Sequence, residues 1–435
     1  MRGVGMEMNR REMLFAGGLS LLAGVRSFGQ SAGAAPGRAD VPAPVARLLG
    51  ALQRNRLPIT IGDAPAGAGW DWLVRETSSA RFTLIGEEHG VAETARFSSA
   101  LFGALRGSGY DRLAFELSPA MSEIVEAAAR RDGLKGITDV LTTPGAFTFY
   151  NLREEAQFLA DVIKAAPRNE RVLWGLDREI FSDRYLISRL EPKVPQRARE
   201  AFNRLKQSST NAWAKFGKTQ NPDDMFILAE DPALVTALQT AWPNPDHESE
   251  TIMRTLEGSL AIETAERTGG RWPYFESRAR WMRTNFAGLI KADQGRSKIL
   301  MKFGFSHVIR GANYLNVFDI GAMADEAAAI TGDRAFHILV LPSSGSRQAV
   351  PGKGRSFGSV ATDDYDDLGA GDGRLTRVLP NANATGHEVI DLRALRPLAM
   401  RGLESWNPDV VKTIYGYDAA VIWKGARASV GLEQV

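Results

Sequence analysis

Glu87, Glu88 and His89 stand together in "RFTLIGEEHGVAETARF", which places one of the chain's five histidines behind two glutamates and ahead of a glycine. Three further ionisable groups come after apolar runs: Glu116 in "DRLAFELS", Asp177 in "RVLWGLDRE" and His307 in "SKILMKFGFSHVIRG". Two imidazoles with two or three carboxylates suit a general base that activates water while a carboxylate fixes its tautomer. The same donors suit a divalent metal held by nitrogen and oxygen. Any one of them alone is more often a helix cap or a surface ion pair, so a site requires that they converge.

That convergence depends on the elements. Phe82 to Ile85 reads as a short buried strand broken at Gly86, and the segment after it has helical spacing at Phe97, Leu101, Ala104 and Leu105. Glu87, Glu88 and His89 therefore fall on a strand-to-helix turn. "DRLAFELS" is a second strand, with Pro119 placed to open a helix, and "NLREEAQFLADVIKAA" is an amphipathic helix leading into the strand that ends near Asp177. "SKILMKFGFSHVIRG", "AFHILVLPSSGS" and "YDAAVIWKG" supply three more strands. Strands alternating with helices predict an α/β fold with a mainly parallel central sheet flanked by helices. Ligands bind such sheets at the carboxyl ends of the strands, the edge to which these groups are assigned. Residues 183–295 are charged, contain tryptophans and show no strand pattern, so they are expected to be an all-helical insertion or cap.

Composition narrows the rest. At 435 residues, 44% apolar, the chain can build a substantial core. Its 53 basic and 51 acidic residues form no long basic block, so no nucleic-acid partner is expected. Cysteine is absent, which excludes disulfides and thiolate chemistry. "MNRREMLFAGGLSLLAGVRSFGQSAGA" has paired Arg10 and Arg11, an apolar stretch from Met13 to Val25, and Ala32 and Ala34 spaced for a signal peptidase. It resembles a twin-arginine export signal, with an apolar stretch too short for a stable membrane span. The expected organisation is a leader at 1–34, a linker and N-terminal segment at 35–80, the α/β domain in two parts at 81–182 and 296–435, and the insertion between them.

Other features are read as structural. "GFSHV" lacks the final glycine of a nucleophile elbow, which leaves Ser306 a structural residue. "PGKGRS" lacks the glycine spacing of a phosphate loop, and "DDYDDLGAGDG" lacks the closing glutamate of a calcium loop. His337 is expected in the core, and His247 and His387 at the surface.

"IGEEHGVAETARFSSALFGALRGSGYDRLAFEL" resembles the opening of erythromycin esterase-like proteins at Gly86, Glu87, His89, Gly90, Glu93 and Glu116. The resemblance continues, in the family's order, through the helix before "VLWGLD", through Arg278 and Met282 in "RARWMRTNF", and to "KILMKFGFSHV" with His307. A single residue separates Glu87 from His89, a spacing more similar to the related haem-binding ChaN-type and TraB/Tiki-type proteins. His307 comes after Gly-Phe-Ser where the esterases carry a His-Asn pair, so lactone hydrolysis of macrolides is not carried over. The resemblance implies a cleft and a hydrolytic chemistry on an ester or lactone of a small molecule. His89 would be the base, Glu87 and Glu116 its support, and His307 an oxyanion stabiliser or proton shuttle. Glu88, Glu93, Arg96, Asp177 and Arg278 are the expected substrate-binding residues. No cofactor is required by that reading. The alternatives are a non-catalytic haem- or metal-binding protein of the ChaN type and a Tiki-like metal-dependent peptidase.

Overall fold

The computed structural model describes residues 43–62, 64–166, 170–348, 359–361, 386–401 and 408–432. The expected leader and the first residues of the linker lie outside the described residues, as does most of the glycine- and aspartate-rich loop at 352–373.

The strands are β1 (Arg56–Ile59), β2 (Phe82–Glu87), β3 (Tyr110–Phe115), β4 (Leu173–Gly175), β5 (Lys298–Gly304), β6 (Ala335–Pro342), β7 (Ser346–Gln348), β8 (Ser359–Ala361), β9 (His387–Asp391) and β10 (Ala419–Trp423). Eight of them form one sheet in the order β1-β9-β10-β6-β2-β5-β3-β4. The six from β10 to β4 are mutually parallel. Every residue of β2 and β10 is buried, as is all of β5 after Lys298, so these strands read as continuous apolar runs rather than alternations. The period of two survives in what each residue packs against. Ile85, Leu113, Phe115, Leu300, Ile338 and Val421 join one core, and Leu84, Ala114, Met301, Leu339 and Ala420 join the other.

Two sheet strands lie beyond the six expected. β9 pairs antiparallel with β10, and β1 pairs antiparallel with β9. β1 is only four residues long and contains Pro58, which an edge strand tolerates because one side of it makes no ladder. The expected N-terminal segment thus supplies the helix Ala43–Arg54, the strand β1 and the helix Ala68–Ser78.

Between β4 and β5 the chain is entirely helical, which is the insertion. Its main helices are Asp183–Leu190, Arg199–Thr219, Ala233–Ala241, His247–Gly269 and Arg271–Ala292. Leu186, Phe202, Leu238 and Leu256 tie it into the first core, while Met282 and Phe286 of the last helix enter the second. The insertion therefore straddles the β4 edge of the sheet.

Candidate active site

Register brings the strand ends together. Glu87 lies opposite Gly304 across β2 and β5, Phe115 lies opposite Lys302 across β3 and β5, and Phe115 lies opposite Gly175 across β3 and β4. Each strand thus delivers the residue at or just past its carboxyl end to one crevice. The turn after β2 requires a glycine at position 90: its φ is 83°, and a β-carbon there would lie 2.3 Å from the carbonyl oxygen of Gln348. The chain reverses there and enters the helix Ala92–Leu105.

The groups that converge are His89, Glu87, Glu116, His307, Asp177 and Arg278. His89 Nδ1 hydrogen-bonds Glu87 Oε1 at 2.9 Å, and its Nε2 faces Glu116 Oε2 at 3.4 Å. His307 Nδ1 hydrogen-bonds Asp319 Oδ2 at 2.8 Å, and its Nε2 faces Glu116 Oε1 at 3.6 Å. Both inner ring nitrogens thus point at one carboxylate, and a further carboxylate holds each outer nitrogen. Arg278 reaches the same carboxylate at 2.7 Å through Nη2 and grips Asp177 through Nε and Nη2 at 2.9 and 2.6 Å. The remaining ligand of Glu116 is the backbone N–H of Gly304, 2.7 Å from Oε2.

Neighbouring elements hold these side chains in place. His307 lies in a single 3₁₀ turn, Phe305–Val308, and Nδ1 of His337 lies 2.7 Å from the carbonyl of Val308. His337 is fully buried, as expected of a core residue. Asp319 also caps the helix Ile320–Ile330 through Oδ1, which accepts from Ile320 N at 2.7 Å. A groove of about 890 Å³ between that helix and Arg271–Ala292 includes Asp319 in its wall, so it approaches the site from the His307 side. On the other side the ring of Phe149 stacks parallel on His89, with centroids 5.7 Å apart. Phe149 packs with Phe147, Ile180, Phe181, Trp213, Phe216, Met225 and Leu228 in a smaller apolar group that, through Phe149 and Trp213, also touches the first core.

The site is buried and charged. His89 is 8% exposed, His307 5%, and Glu87 and Glu116 2% each, so the His89 turn is buried rather than partly open. Burial alone would lower the pKa of His89, but Glu116 and Glu87 outweigh it and push the ring up to about 10. Burial likewise opposes the proton on His307, and Asp319 and Glu116 prevail, raising it. Burial would raise Glu116, yet His307, His89 and Arg278 hold it well below the usual carboxylate range. In this arrangement His89 is a cation facing an anion, and the same anion favours the protonated form of His307.

Of the remaining expected residues, Glu88 is buried and pairs with Arg347 at 3.3 Å. Glu93 and Arg96 are not brought to the cluster. Glu93 accepts from Arg427 N at 2.9 Å and Arg427 Nε at 2.8 Å, and the half-exposed Arg96 lies 3.8 Å from Glu154. Glu93 lies in the first turn of the helix, whose phase carries its buried side chain to the C-terminal segment and that of Arg96 toward solvent. His387, expected at the surface, is half-buried on β9 with its ring edge-to-face on Trp423. His247 is exposed.

Sequence reasoning did not single out Lys302, Glu155 or Asp319. Lys302 is fully buried, with Nζ 2.6 Å from Glu87 Oε1 and 2.9 and 3.0 Å from the two oxygens of Glu155. The available signal was a lysine inside the apolar run "ILMKFGF", where only a paired charge is tolerated. Among the described residues no group of three or more His, Asp or Glu side chains is placed to hold a metal ion. The donor chemistry agrees: Glu116 is already bound by Arg278 and Gly304, so a divalent cation there would face the Arg278 guanidinium, and Glu87 is already paired with Lys302. These residues do not fit a divalent metal.

An α/β sheet with a helical insertion and a His-Glu-His cluster at its strand ends places the chain in a definite structural class. No family model and no curated protein matches the sequence. Solved structures do match the fold. A succinoglycan biosynthesis protein superposes with a TM-score of 0.61 at 12% identity, covering 91% of this chain and 100% of that one. A Bacillus cereus protein matches with a TM-score of 0.58 at 14% identity, over 90% and 100%. A mutant of the erythromycin esterase EreC in its open conformation matches with a TM-score of 0.52 at 13% identity, over 83% and 94%. The fold is that of the erythromycin esterase, as the sequence resemblance implied.

Proposed function

We propose that this protein is a hydrolase that cleaves an ester or lactone of a small molecule by water attack at the His89–Glu116–His307 cluster. The observation that carries the proposal is the pair of inner imidazole nitrogens facing one carboxylate, each ring locked by a second carboxylate on its outer nitrogen. A general base requires such a fixed tautomer, and an oxyanion stabiliser requires such a fixed donor.

The proton inventory assigns the roles. As it stands His89 carries a proton on each nitrogen and is no base. Its Nε2 makes no hydrogen bond to Glu116 across the 3.4 Å gap. A water that displaces the Glu116 carboxylate from Nε2 screens it and lowers the affinity of His89 for its Nε2 proton, which leaves to solvent, and the water then occupies the position from which it can be activated. His89 then takes a proton from that water, and Glu87 holds the resulting imidazolium. His307 keeps its proton because Asp319 stays with it, so its Nε2–H points at the oxygen where negative charge develops. Arg278 keeps Glu116 ionised throughout. The paired-arginine leader makes this a protein for export in the same proposal.

Purified protein incubated with a panel of esters and lactones tests the reading. Turnover that His89→Asn abolishes is the expected result. A Soret band on haem titration, with no hydrolysis of any panel member, would replace it with a binding function.

A further inference from the structure

Lys302 sits at the centre of a buried charge group that the proposed chemistry does not use. On β5 it lies opposite Ile85 of β2, so Glu87, two residues further along, extends from the same face. Its Nζ meets Glu87 Oε1, the same oxygen that accepts from His89 Nδ1, and it meets both oxygens of Glu155 from the helix Arg153–Ala165. The stem packs among aromatics, with Nζ 5.4 Å from the ring centre of Tyr150 and 5.9 Å from that of Phe158. Lys302 is wholly buried and Glu155 is 3% exposed.

We infer that Lys302 and Glu155 are positioning residues that act on His89 through Glu87, by coupling the charge of the imidazole to the charge of Glu155. The coupling comes from charge balance in a buried site. Glu87 and Lys302 cancel, which leaves His89 and Glu155. The four groups are neutral when His89 is a cation and Glu155 an anion, and neutral again when both are uncharged. The mixed states bury an uncompensated charge, which is costly at low dielectric. The other charge facing His89 is that of Glu116, whose network with Arg278, Asp177, His307 and Asp319 is common to all of these states and does not distinguish them, and the phenol of Tyr150 stays protonated because burial and the carboxylates around it push its pKa up. Burial raises Glu155 despite Lys302, to about 7, so it is the carboxylate of the four groups that takes up a proton near physiological pH and thereby weakens the hold on the His89 proton. Protonation of Glu155 therefore releases His89 to become the bare ring that water activation needs. Lys302 passes the effect on because it contacts Glu155 and Glu87 at once.

This inference rests on the proposed role of His89, but its test does not require a substrate. Imidazole ¹⁵N resonances of the full chain are titrated with pH, with the His89 signals assigned by their loss in His89→Asn. In Glu155→Gln the Glu87–Lys302 pair is neutral alone, so the His89 midpoint falls, by about one pH unit or more for the loss of a nearby charge. In Lys302→Met with Glu155→Met both charges go together, and the midpoint returns toward that of the wild type. Lys302→Met alone holds His89 charged to higher pH. An unmoved midpoint in Glu155→Gln, or equal shifts in the single and double variants, overturns the coupling. Should one single variant not fold, the other measured against the double decides in the same way. If no ester is hydrolysed the hydrolytic reading fails, while the titration still decides the charge coupling.

Discussion

The guanidinium of Arg278 holds the carboxylate of Asp177 through two hydrogen bonds, Nε to Oδ1 at 2.9 Å and Nη2 to Oδ2 at 2.6 Å, although 101 residues separate them. Asp177 lies just past the end of β4, and Arg278 sits on the last helix of the insertion, so this fork fastens the cap to the sheet at the point where Arg278 also meets Glu116. Trp281 and Asn285 of the same helix bind the carbonyls of Asp177 and Leu176 at 3.1 and 3.0 Å. The cap thus builds one wall of the site and supplies a charge to it.

Removing that charge leaves Glu116 and Asp177 buried without their main partner. Arg278→Met should therefore lose about 3–5 kcal/mol of stability, the cost of stranding a buried charge. Arg278→Lys should recover little, because an ammonium cannot make the planar fork. Urea unfolding of the two variants checks this, and an unchanged midpoint in Arg278→Met would refute it.

His89→Ala should lower turnover by about 10² to 10⁴, the usual contribution of a general base. Because the ring is buried between two carboxylates, the variant should also lose about 1–3 kcal/mol, the cost of a buried polar group left unsatisfied. Turnover and melting temperature measured on one preparation separate the effects. Full activity at a lowered Tm would reduce His89 to a structural residue.

Asp319 has two jobs that one substitution divides. Asp319→Asn keeps an oxygen for the cap at Ile320 but withdraws the negative charge from His307. Turnover should fall by about an order of magnitude or more, with a stability change well below the roughly 1 kcal/mol of a lost cap. Asp319→Ala should lose both. Equal Tm losses in the two variants would show that the charge held against the imidazole, not the cap, dominates.

The pH dependence has a definite sign. The folded chain holds the His89 proton to about pH 10, above the ordinary 6.5, so its stabilising contribution is complete below pH 6.5 and is lost as pH rises from there through about 10. The base must be the bare ring, so kcat/KM should climb over the same window in which Tm declines. In His89→Asn that part of the Tm decline should vanish. A flat pH–rate profile between about pH 6 and 9 would exclude His89 as the base.

Export is tested at the N-terminus. Arg10→Lys with Arg11→Lys should keep the precursor in the cytoplasm, and the mature chain should begin near Ala35. Edman sequencing that finds Met1 on processed, active protein would show that no leader is removed.

The local chemistry of the site was legible in the chain. Short apolar runs bounded by glycine and alternating with helical segments read as strands covered on both faces, and the polar residues that end them, Glu87 to His89, Glu116, Asp177 and His307, then fall at their carboxyl ends. Arg278 was legible only through resemblance, since an arginine on an amphipathic helix has no pattern of its own. Which strands are neighbours was not written locally. β5 lies between β2 and β3 although more than a hundred residues of insertion precede it, and that placement alone puts Lys302 against Glu87 and Gly304 against Glu116. Pairing across such distances is decided by the cooperative burial of two sheet faces, which no window of sequence contains. Helical phase made the remaining distinction. Glu155 and Glu93 both sit in the first turn of a helix beside the site, yet one turns inward to Lys302 and the other meets the backbone of Arg427. Both carboxylates are buried, and only the packed helices settle which of them meets the lysine beside the site.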